Sequence, residues 1–326
     1  MSAANATPVK QIAQAPLAWI GLLVLALLLQ SCATAELRTV PTVQSLHETK
    51  TYNRVANNTN DATLKVITLN IAHGRGDGFH QLLQNGDKAQ SHLNAIATLL
   101  KGQHPDIVAL QEADAPSFWS GKFDHVEYVA KHGSFAYFVH ANHAEGIGIS
   151  YGTAFVSNLE LKHPEAITFN PELAALPKGF VVATVTWPGS SCMELDITSV
   201  HLDSSSEATR RRQAADLIAT LRARDRPMVV MGDFNSRWEQ EGSAVRLIAS
   251  ELGLSAYKPD QAGLETFTRL GWRLDWILIS PEFTFHSYNV INDKVSDHRT
   301  VAAELTLNHE IAAGNPPDSC EFKQES

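Results

Sequence analysis

The chain has 326 residues, of which 44% are hydrophobic, so it can build a sizeable core in one large domain or two ordinary ones. Since only 19% of the residues are charged, it is not a disordered polyelectrolyte. The formal net charge is −9, and the only dense basic cluster is the run at 210–212. Because sequence-independent binding of nucleic acid needs many phosphate contacts, this charge argues against tight scanning of DNA, though not against a nucleic acid as substrate.

The first pattern in chain order is an apolar run at 17–29, preceded by one positive charge, Lys10. The run has the length of a signal-peptide core and is shorter than the ~20 residues of a membrane span. It ends in L-L-Q-S-C, which resembles a bacterial lipobox and implies cleavage before Cys32 and lipid on its sulfur. We expect residues 1–31 to be a lipoprotein signal peptide and the protein to be exported and membrane-anchored, facing the periplasm or the outer membrane. An ordinary signal peptide or an uncleaved anchor is the alternative.

The remaining chain divides by composition. Residues 32–62 are rich in Thr, Asn, Ala and Val without a clear period, so we expect a tether. We place a folded domain at 63–310 and a C-terminal tail at 311–326. Cys192 and Cys320 are too scattered for a zinc site. Outside the reducing cytosol they can form a disulfide, and the alternative is two unrelated thiols.

Strand patterns outnumber helix patterns in the body of the chain. Apolar or alternating runs predict strands at 64–70, 106–112, 137–140, 152–157, 160–169, 180–187, 194–201, 228–231, 274–279, 283–290 and 300–307. Apolar residues at helical spacing predict helices at 91–101, 207–224 and 244–252. Since not every strand is followed by a helix, we predict an α/β (α+β) domain with sheets packed face to face and helices outside, rather than a doubly wound fold.

The strand at 228–231 is followed directly by chemically capable residues. Gly232 ends the apolar run, and Asp233 and Asn235 come after it. Ligands of open α/β sheets bind beyond the carboxyl ends of strands. An acid and an amide two residues apart point the same way if the chain stays extended, and they can then bind a metal, a proton or a phosphate. The alternative is an Asx turn that caps the strand.

Other strands also carry polar residues at their ends. These residues are Asn70, Glu112, His201, Asp275 and the run Ser296-Asp297-His298. Each of them alone is typical of a structural histidine or a solvated turn. Together they suit metal-assisted attack of water on phosphorus, because a carboxylate can hold Mg²⁺ and an imidazole oriented by an acid can move a proton near neutral pH.

Six short motifs follow one another along residues 64–307. They are T-L-N-I at 68–71, L-Q-E at 110–112, S-V-H-L at 199–202, G-D-F-N-S at 232–236, R-L-D-W-I-L at 273–278 and S-D-H at 296–298. In this order they resemble the endonuclease/exonuclease/phosphatase superfamily, which includes deoxyribonuclease I and neutral sphingomyelinases. The resemblance implies a four-layer sandwich of two mixed β-sheets packed face to face and flanked by helices, with the active site at one edge.

The resemblance also implies roles for individual residues. Glu112 would be the main ligand of Mg²⁺, with Mn²⁺ as a substitute, and Asn70 and Asp297 would support it. Asp233 would activate or orient the attacking water. Asn235 would hold the phosphate or stabilise the transition state.

Two histidines complete the implied site. His298 would contact the scissile phosphate and transfer a proton, polarised by Asp275. His201 matches the second catalytic histidine of the deoxyribonuclease-like and sphingomyelinase-like branches, and the sequence does not identify an acid that would support it. Abasic-site endonucleases carry other residues at the position of His201 and an acid at the position of Ala72. The resemblance is therefore weaker to that branch of the superfamily.

Some neighbouring polar residues are expected to be structural. We expect Arg75 and Asp77, in the glycine-rich loop after the first strand, to be turn residues rather than phosphate ligands. We expect Arg211 and Gln213, early in the helix after His201, to brace the loop that follows this histidine.

The sequence therefore predicts an exported, Mg²⁺-dependent phosphodiesterase that acts as a monomer. Its substrate would be a nucleic acid, a lipid headgroup or a small phosphodiester, and a phosphomonoesterase is the alternative within the enzyme class. The rival class is a non-catalytic lipoprotein that uses the same fold as a binding module. Such a protein would usually have lost Glu112, Asp233 or His298, and all three are present.

Overall fold

The computed structural model describes residues 37–44, 62–76, 86–146, 148–170, 176–190 and 192–308. All of them belong to one compact unit, Ala35–Ser326. None of the helices in these ranges is long and apolar enough to cross a membrane. The predicted signal peptide at 1–31 and the predicted tail at 311–326 lie outside the described residues.

Strands and a smaller number of helices make up the described part. The strands are β1 (Leu37–Thr39), β2 (Thr42–Gln44), β3 (Leu64–Asn70), β4 (Ile107–Asp114), β5 (Tyr137–Gly146), β6 (Ile149–Ser157), β7 (Lys162–Thr168), β8 (Gly179–Thr186), β9 (Glu194–His201), β10 (Met228–Asp233), β11 (Ser255–Ala256), β12 (Asp275–Ile279), β13 (Phe283–Val290) and β14 (Val301–Leu307). The helices are α1 (Gly86–Gln103), α2 (His125–Gly133), α3 (Glu207–Arg224) and α4 (Ala244–Leu252).

The strands form two sheets of seven. One has the order β1-β7-β8-β9-β10-β12-β11 and the other the order β13-β14-β3-β4-β6-β5-β2. Each sheet contains one parallel pair, β9 with β10 and β3 with β4, among antiparallel neighbours. Both sheets are therefore mixed, as predicted.

Three apolar clusters fill the spaces between four layers. The central cluster joins the two sheets through fully buried residues such as Val66 and Val181. A second cluster packs α3 and α4 onto one sheet, with Leu217 at its centre. The third packs α1 and α2 onto the other sheet, with Leu93 among its residues. Burial of each such side chain contributes about 1.5–3 kcal/mol, and the arrangement confirms the predicted four-layer sandwich.

Strand β10 approaches β9 so closely that only glycine fits at position 232. A Cβ there would lie 2.0 Å from the carbonyl oxygen of Val200, and the φ angle of Gly232 is +150°. Because the strands are this close, Asp233 pairs with His201 of β9 on one side and with Asp275 of β12 on the other. One glycine thus allows three polar residues to lie next to each other at the sheet edge.

Polar contacts hold the central strands of the two sheets together near this edge. The Nε2 atom of Gln111 in β4 donates a hydrogen bond to Ser199 Oγ in β9 at 3.0 Å. Ser199 Oγ in turn donates to the carbonyl oxygen of Leu110 at 3.0 Å. The carboxyl ends of β3, β4, β9 and β10 therefore meet at one edge of the sandwich.

Most predicted elements are confirmed, and several have the predicted bounds, among them β9, α3 and α4. Helix α1 begins at Gly86, before the start predicted at residue 91. Its first turn was missed because it is polar and lacks the apolar repeat that marks a helix. Helix α2 was not predicted, although Asp124 is a good N-cap whose Oδ1 accepts hydrogen bonds from the backbone N–H groups of Val126 and Glu127.

The expected tether contains two strands, which corrects that expectation for its described part. Strand β1 pairs with β7 in one sheet, and β2 pairs with β5 in the other, so residues 37–44 connect the edges of both sheets. Each strand has three residues and is largely exposed. Such short strands show no alternation in sequence, and only their distant partners define them.

Candidate active site

Asp233, the last residue of β10, lies at the centre of polar side chains from both sheets. Its Oδ2 atom accepts a hydrogen bond from Nδ2 of Asn70 at 3.0 Å. The same oxygen lies 3.5 Å from Nε2 of His201 and 3.8 Å from Nε2 of His298. Burial, and to a smaller extent the nearby Asp275 carboxylate, raise the pKa of Asp233 to about 6, although the charge of His298 opposes this increase. A carboxylate with a raised pKa is suited to accept a proton near neutral pH.

Asn235 has a left-handed φ of 48°, so the chain does not stay extended after Asp233, contrary to the geometry considered from sequence. The backbone N–H of Asn235 donates to Oδ1 of Asp233 at 2.9 Å, which forms an Asx turn. Its Nδ2 donates to the carbonyl oxygen of Leu202 at 3.0 Å. The Asx turn and the polar site therefore coexist, because one oxygen of Asp233 closes the turn while the other contacts the site.

His298 is held by a buried acid. Its Nδ1 donates to Oδ2 of Asp275 at 2.7 Å, and the ring of Phe267 packs 4.9 Å from the imidazole, centroid to centroid. Burial alone would lower the pKa of His298, but the Asp275 and Asp233 carboxylates raise it to about 10. The imidazole is therefore protonated at neutral pH, and its Nε2–H is a proton donor beside Asp233.

Glu112 lies in β4 at a point where the register with β6 shifts. Its Oε2 is 3.3 Å from Nε2 of His73, and its Oε1 is 4.0 Å from Nε2 of His201. Nδ1 of His73 is 2.6 Å from Oδ1 of Asp114. Burial acts to raise the pKa of Glu112, but His73 and His201 hold this pKa well below its usual range. Glu112 is thus an ionised carboxylate whose side chain is 18% exposed.

Lys178 places an ammonium group among these acids. Its Nζ lies within hydrogen-bond distance of Nε2 of His201, at 2.5 Å. Burial, and then the Lys178 charge, lower the pKa of His201 well below that of an ordinary histidine. Neutral His201 can therefore accept a hydrogen bond from Lys178. Both carboxylates that lie near His201, those of Glu112 and Asp233, are on its Nε2 side.

Asp297, an expected metal ligand, is engaged by an arginine. Its Oδ2 accepts a hydrogen bond from Nη2 of Arg75 at 2.8 Å, so the expectation that Arg75 is a plain turn residue is wrong. Asp77, which was also expected to be a turn residue, lies outside the described residues. The preceding Ser296 donates from Oγ to the carbonyl oxygen of Asn70 at 2.6 Å, which fixes this loop against the end of β3.

The segment after His201 is braced by α3. The backbone N–H of Asp203 donates to Oε1 of Gln213 at 2.8 Å, as expected for Gln213. The arginine that contributes is Arg210, whose Nη1 donates to the carbonyl oxygen of Asp203 at 2.9 Å. Arg211 instead donates to the carbonyl oxygen of Gly242, so its predicted role is corrected. The bracing side chain is one residue earlier because helical geometry turns position 211 towards solvent.

Four non-glycine residues at this edge have a left-handed backbone conformation. Ala72, His73, Glu112 and Asn235 have φ values of 48°, 55°, 50° and 48°. A left-handed conformation costs a non-glycine residue about 1–3 kcal/mol and persists only where surrounding contacts enforce it. Such residues occur preferentially at binding and catalytic sites, which agrees with the polar cluster that they adjoin.

The residues fit a divalent cation. Carboxylate oxygens of Asp233 and Asp275 lie within 4.8 Å of each other, whereas the protonated His298 beside them has no lone pair to offer a metal. The Oδ1 atom of Asp275 is buried and has no hydrogen-bond partner among the described residues. Glu112 is ionised and partly exposed, which suits a hard cation that keeps several waters. Asn70 is less free to bind metal, since its Oδ1 already accepts a hydrogen bond from a backbone N–H at 2.9 Å.

Three residues of the site, His73, Asp114 and Lys178, were not predicted from the sequence. Lys178 immediately precedes β8, and Gly179 pairs with His201 across β8 and β9. Only the order of strands in the sheet reveals that neighbour. His73 follows Asn70 within one short turn, and its proximity to the T-L-N-I motif was the available signal.

Solved structures share this fold. An endonuclease/exonuclease/phosphatase family protein from Bacteroides vulgatus is similar with a TM-score of 0.60 and 18% identity, over 76% of this chain and 99% of that chain. A mannosyl-6-phosphatase from Bacteroides thetaiotaomicron gives 0.57 and 17%, over 75% and 100%. D. rerio TDP2, complexed with single strand DNA product, gives 0.57 and 19%, over 76% and 100%. At these identities the similarity establishes the fold alone, and no curated protein matches the sequence.

The family comparison covers the site as well as the fold. The model described as "Endonuclease/Exonuclease/phosphatase family" matches residues 67–298, which is more than half of the chain. The matched region begins within β3 and ends at His298, so it contains every member of the polar cluster described above. The family's name denotes enzymes that hydrolyse phosphoester bonds. This chain belongs to the endonuclease/exonuclease/phosphatase family.

Proposed function

We propose that the protein is a divalent-metal-dependent phosphodiesterase that hydrolyses its substrate by direct attack of water. One observation carries this proposal. The carboxylate of Asp233 lies between the amide of Asn70 and the protonated His298, and Asp275 holds His298 in place. A base and an acid thus face the same small space, and Glu112 lies at the same sheet edge.

Asp233 and His298 supply the two proton transfers of the reaction. Oδ2 of Asp233 takes a proton from the attacking water, and the Nδ2–H of Asn70 holds this oxygen in position. The water oxygen forms the new bond to phosphorus as the ester bond breaks. Nε2–H of His298, 3.8 Å from the same carboxylate, donates its proton to the leaving oxygen. The Asp275 carboxylate stabilises the charged imidazole before transfer.

Cationic and polar side chains on the other side of Asp233 bind the phosphate. Lys178 and His201 lie next to each other, so an anion placed there would contact the Lys178 ammonium directly. The same ammonium interacts with the Glu112 and Asp233 carboxylates. Mg²⁺ or Mn²⁺ held by Glu112 would supply neutralisation of charge on the phosphoryl oxygens.

The test is hydrolysis of bis-p-nitrophenyl phosphate by the purified protein. We expect activity that EDTA abolishes and added Mg²⁺ or Mn²⁺ restores. The Asp233→Asn variant should lose at least about 100-fold in kcat, because general base catalysis contributes on that order. The Asp260→Asn variant alters an exposed carboxylate and should match the wild type. Activity that survives both EDTA and Asp233→Asn would contradict the mechanism, and a protein without activity would favour the binding-module alternative.

A phosphomonoesterase is the second candidate, and Lys178 is the observation that favours it. A monoester carries more negative charge than a diester, and an additional ammonium at the phosphate site stabilises that charge. The kcat/KM values for p-nitrophenyl phosphate and its bis ester separate the two candidates. A higher value for the monoester would replace the diesterase proposal.

We also propose export and lipid anchoring, with the L-Q-S-C sequence at 29–32 as support. Fractionation of cells that express the full chain tests this. The wild type should sediment with membranes, and Cys32→Ala should release it. Retention of the variant on membranes would contradict lipidation at Cys32.

A further inference from the structure

His73 lies between two carboxylates and has no role in the mechanism described above. Its Nδ1 is 2.6 Å from Asp114 Oδ1, and its Nε2 is 3.3 Å from Glu112 Oε2. We propose that Nε2 of His73 and the carboxylate of Glu112 bind the same divalent cation. The metal would then have one nitrogen and one oxygen ligand from the protein. This inference rests on the proposed function, because it concerns the metal of that reaction.

The separation of the two ligand atoms fits a shared cation. Metal–imidazole and metal–carboxylate bonds are about 2.0–2.2 Å long, so two ligands at angles between octahedral and tetrahedral values are about 2.8–3.6 Å apart. The Nε2 to Oε2 distance of 3.3 Å lies within this range. The Glu112 side chain is 18% exposed and that of His73 10%, which leaves an open side for water and substrate.

The second nitrogen of His73 has the partner that a metal-binding histidine normally has. Metal-bound imidazoles almost always donate their other N–H to a carboxylate, carbonyl or water, which fixes the tautomer and the ring orientation. Asp114 provides this carboxylate, and it is fully buried. With the proton on Nδ1, the lone pair of Nε2 is directed towards the Glu112 side of the ring.

The backbone turns both ligands towards each other at an energetic cost. His73 and Glu112 each adopt a left-handed conformation, with φ values of 55° and 50°. Glu112 also lies where the pairing of β4 with β6 shifts between Leu110 and Ala113. Bulges of this kind redirect a side chain next to active sites. An ordinary salt bridge on a regular strand would not require either feature.

The ligand type predicts which metal binds best. Mg²⁺ binds through oxygen ligands and water, whereas first-row transition metals also accept imidazole, with Mn²⁺ the weakest binder of that series and Co²⁺ and Zn²⁺ stronger. A site with one imidazole and one carboxylate should therefore bind Mn²⁺ more tightly than Mg²⁺. Loss of the imidazole should remove most of this preference.

Titration of the purified full chain with Mn²⁺ and with Mg²⁺ tests the inference without an activity assay. We expect His73→Gln to weaken Mn²⁺ binding at least about 10-fold and Mg²⁺ binding much less. Asp114→Asn should weaken Mn²⁺ binding by about the same factor, because the His73 ring would lose the carboxylate that orients it. His132→Gln is the matched control, because His132 lies on the exposed face of α2 and contacts Tyr128. It should bind both metals as the wild type does.

Pulsed EPR of Mn²⁺ bound to the wild-type protein gives a reading that does not depend on whether a variant folds. Hyperfine coupling to an imidazole nitrogen should be present in the wild type and the His132→Gln control, and lost in His73→Gln. Absence of nitrogen coupling in the wild type, or unchanged Mn²⁺ affinity in a folded His73→Gln variant, would overturn the inference.

Failure of the proposed function would look different. If the wild type binds neither Mn²⁺ nor Mg²⁺, or if Glu112→Gln binds both as tightly as the wild type, metal-dependent hydrolysis at this site is itself refuted. If Glu112 is required for binding and His73 is not, the proposed function stands and the ligand assignment for His73 is refuted.

Discussion

Replacement of Asp275 by asparagine tests the proposed role of the buried acid behind His298. Asparagine has nearly the same shape and keeps an oxygen that can accept the 2.7 Å hydrogen bond from Nδ1 of His298, but it removes the negative charge. The neighbouring carboxylates raise the pKa of His298 from 6.5 to about 10, a change of about 3.5 units. At 1.36 kcal/mol per unit this corresponds to a stabilisation of the imidazolium of about 5 kcal/mol.

Asp275 is the largest source of this increase, and Asp233 supplies part of the rest. Loss of the Asp275 charge should therefore cost about 2–4 kcal/mol of imidazolium stabilisation. This lowers the pKa of His298 by about 1.5–3 units, so the proton donor stays largely charged at pH 7 but not in alkaline solution. We therefore expect kcat to fall at most about twofold at pH 7 and about 15- to 500-fold at pH 10. The assay is hydrolysis of bis-p-nitrophenyl phosphate at saturating metal, followed across pH. The alkaline limb of the profile should also move to lower pH.

The matched control is Asp225→Asn. Asp225 is exposed and ends α3 in a left-handed conformation, which asparagine tolerates well. It should leave kcat within about twofold of the wild type. A folded Asp275→Asn protein whose kcat at pH 10 and whose alkaline limb match those of the wild type would refute the argument that Asp275 maintains the charge on His298.

Three further predictions concern the same edge. Gly232→Ala should lower the free energy of unfolding in urea by at least about 3 kcal/mol, because a Cβ would lie 2.0 Å from a carbonyl oxygen. The control Gly102→Ala, whose Cβ meets no atom within 4 Å, should be neutral or stabilising. Equal stability of the two variants would contradict the close approach of β9 and β10. The pH profile of kcat should be bell-shaped. Activity should fall as the pH drops through about 6, where the base Asp233 becomes protonated, and as the pH rises through about 10, where the acid His298 loses its proton. A profile that is flat from pH 5 to about 8 would exclude Asp233 as the base. Lys178→Met should weaken competitive inhibition by inorganic phosphate at least about 10-fold, and an unchanged inhibition constant would exclude Lys178 from the phosphate site.

Several parts of the site were predictable from sequence because their signals are local. The buried run at 228–231 followed by glycine and Asp233 marks a strand end, and the alternating pattern up to His201 marks another. Helix α3 was predicted with its observed bounds because its apolar face is explicit in the sequence. Such features depend on residues that are a few positions apart in the sequence, so a local pattern is enough to predict them.

The tertiary structure decided which of these ends meet and what else lies among them. Asn70 and Asp233 are 163 residues apart in sequence, and their hydrogen bond depends on how the two sheets pack. His73 contacts Glu112 because a strained turn and a register shift direct the two side chains towards each other, and neither feature has a sequence period. Lys178 reaches His201 only because β8 lies beside β9. Strand ends are thus determined by local hydrophobic pattern, whereas contacts between them depend on sheet order and packing, which no local pattern contains.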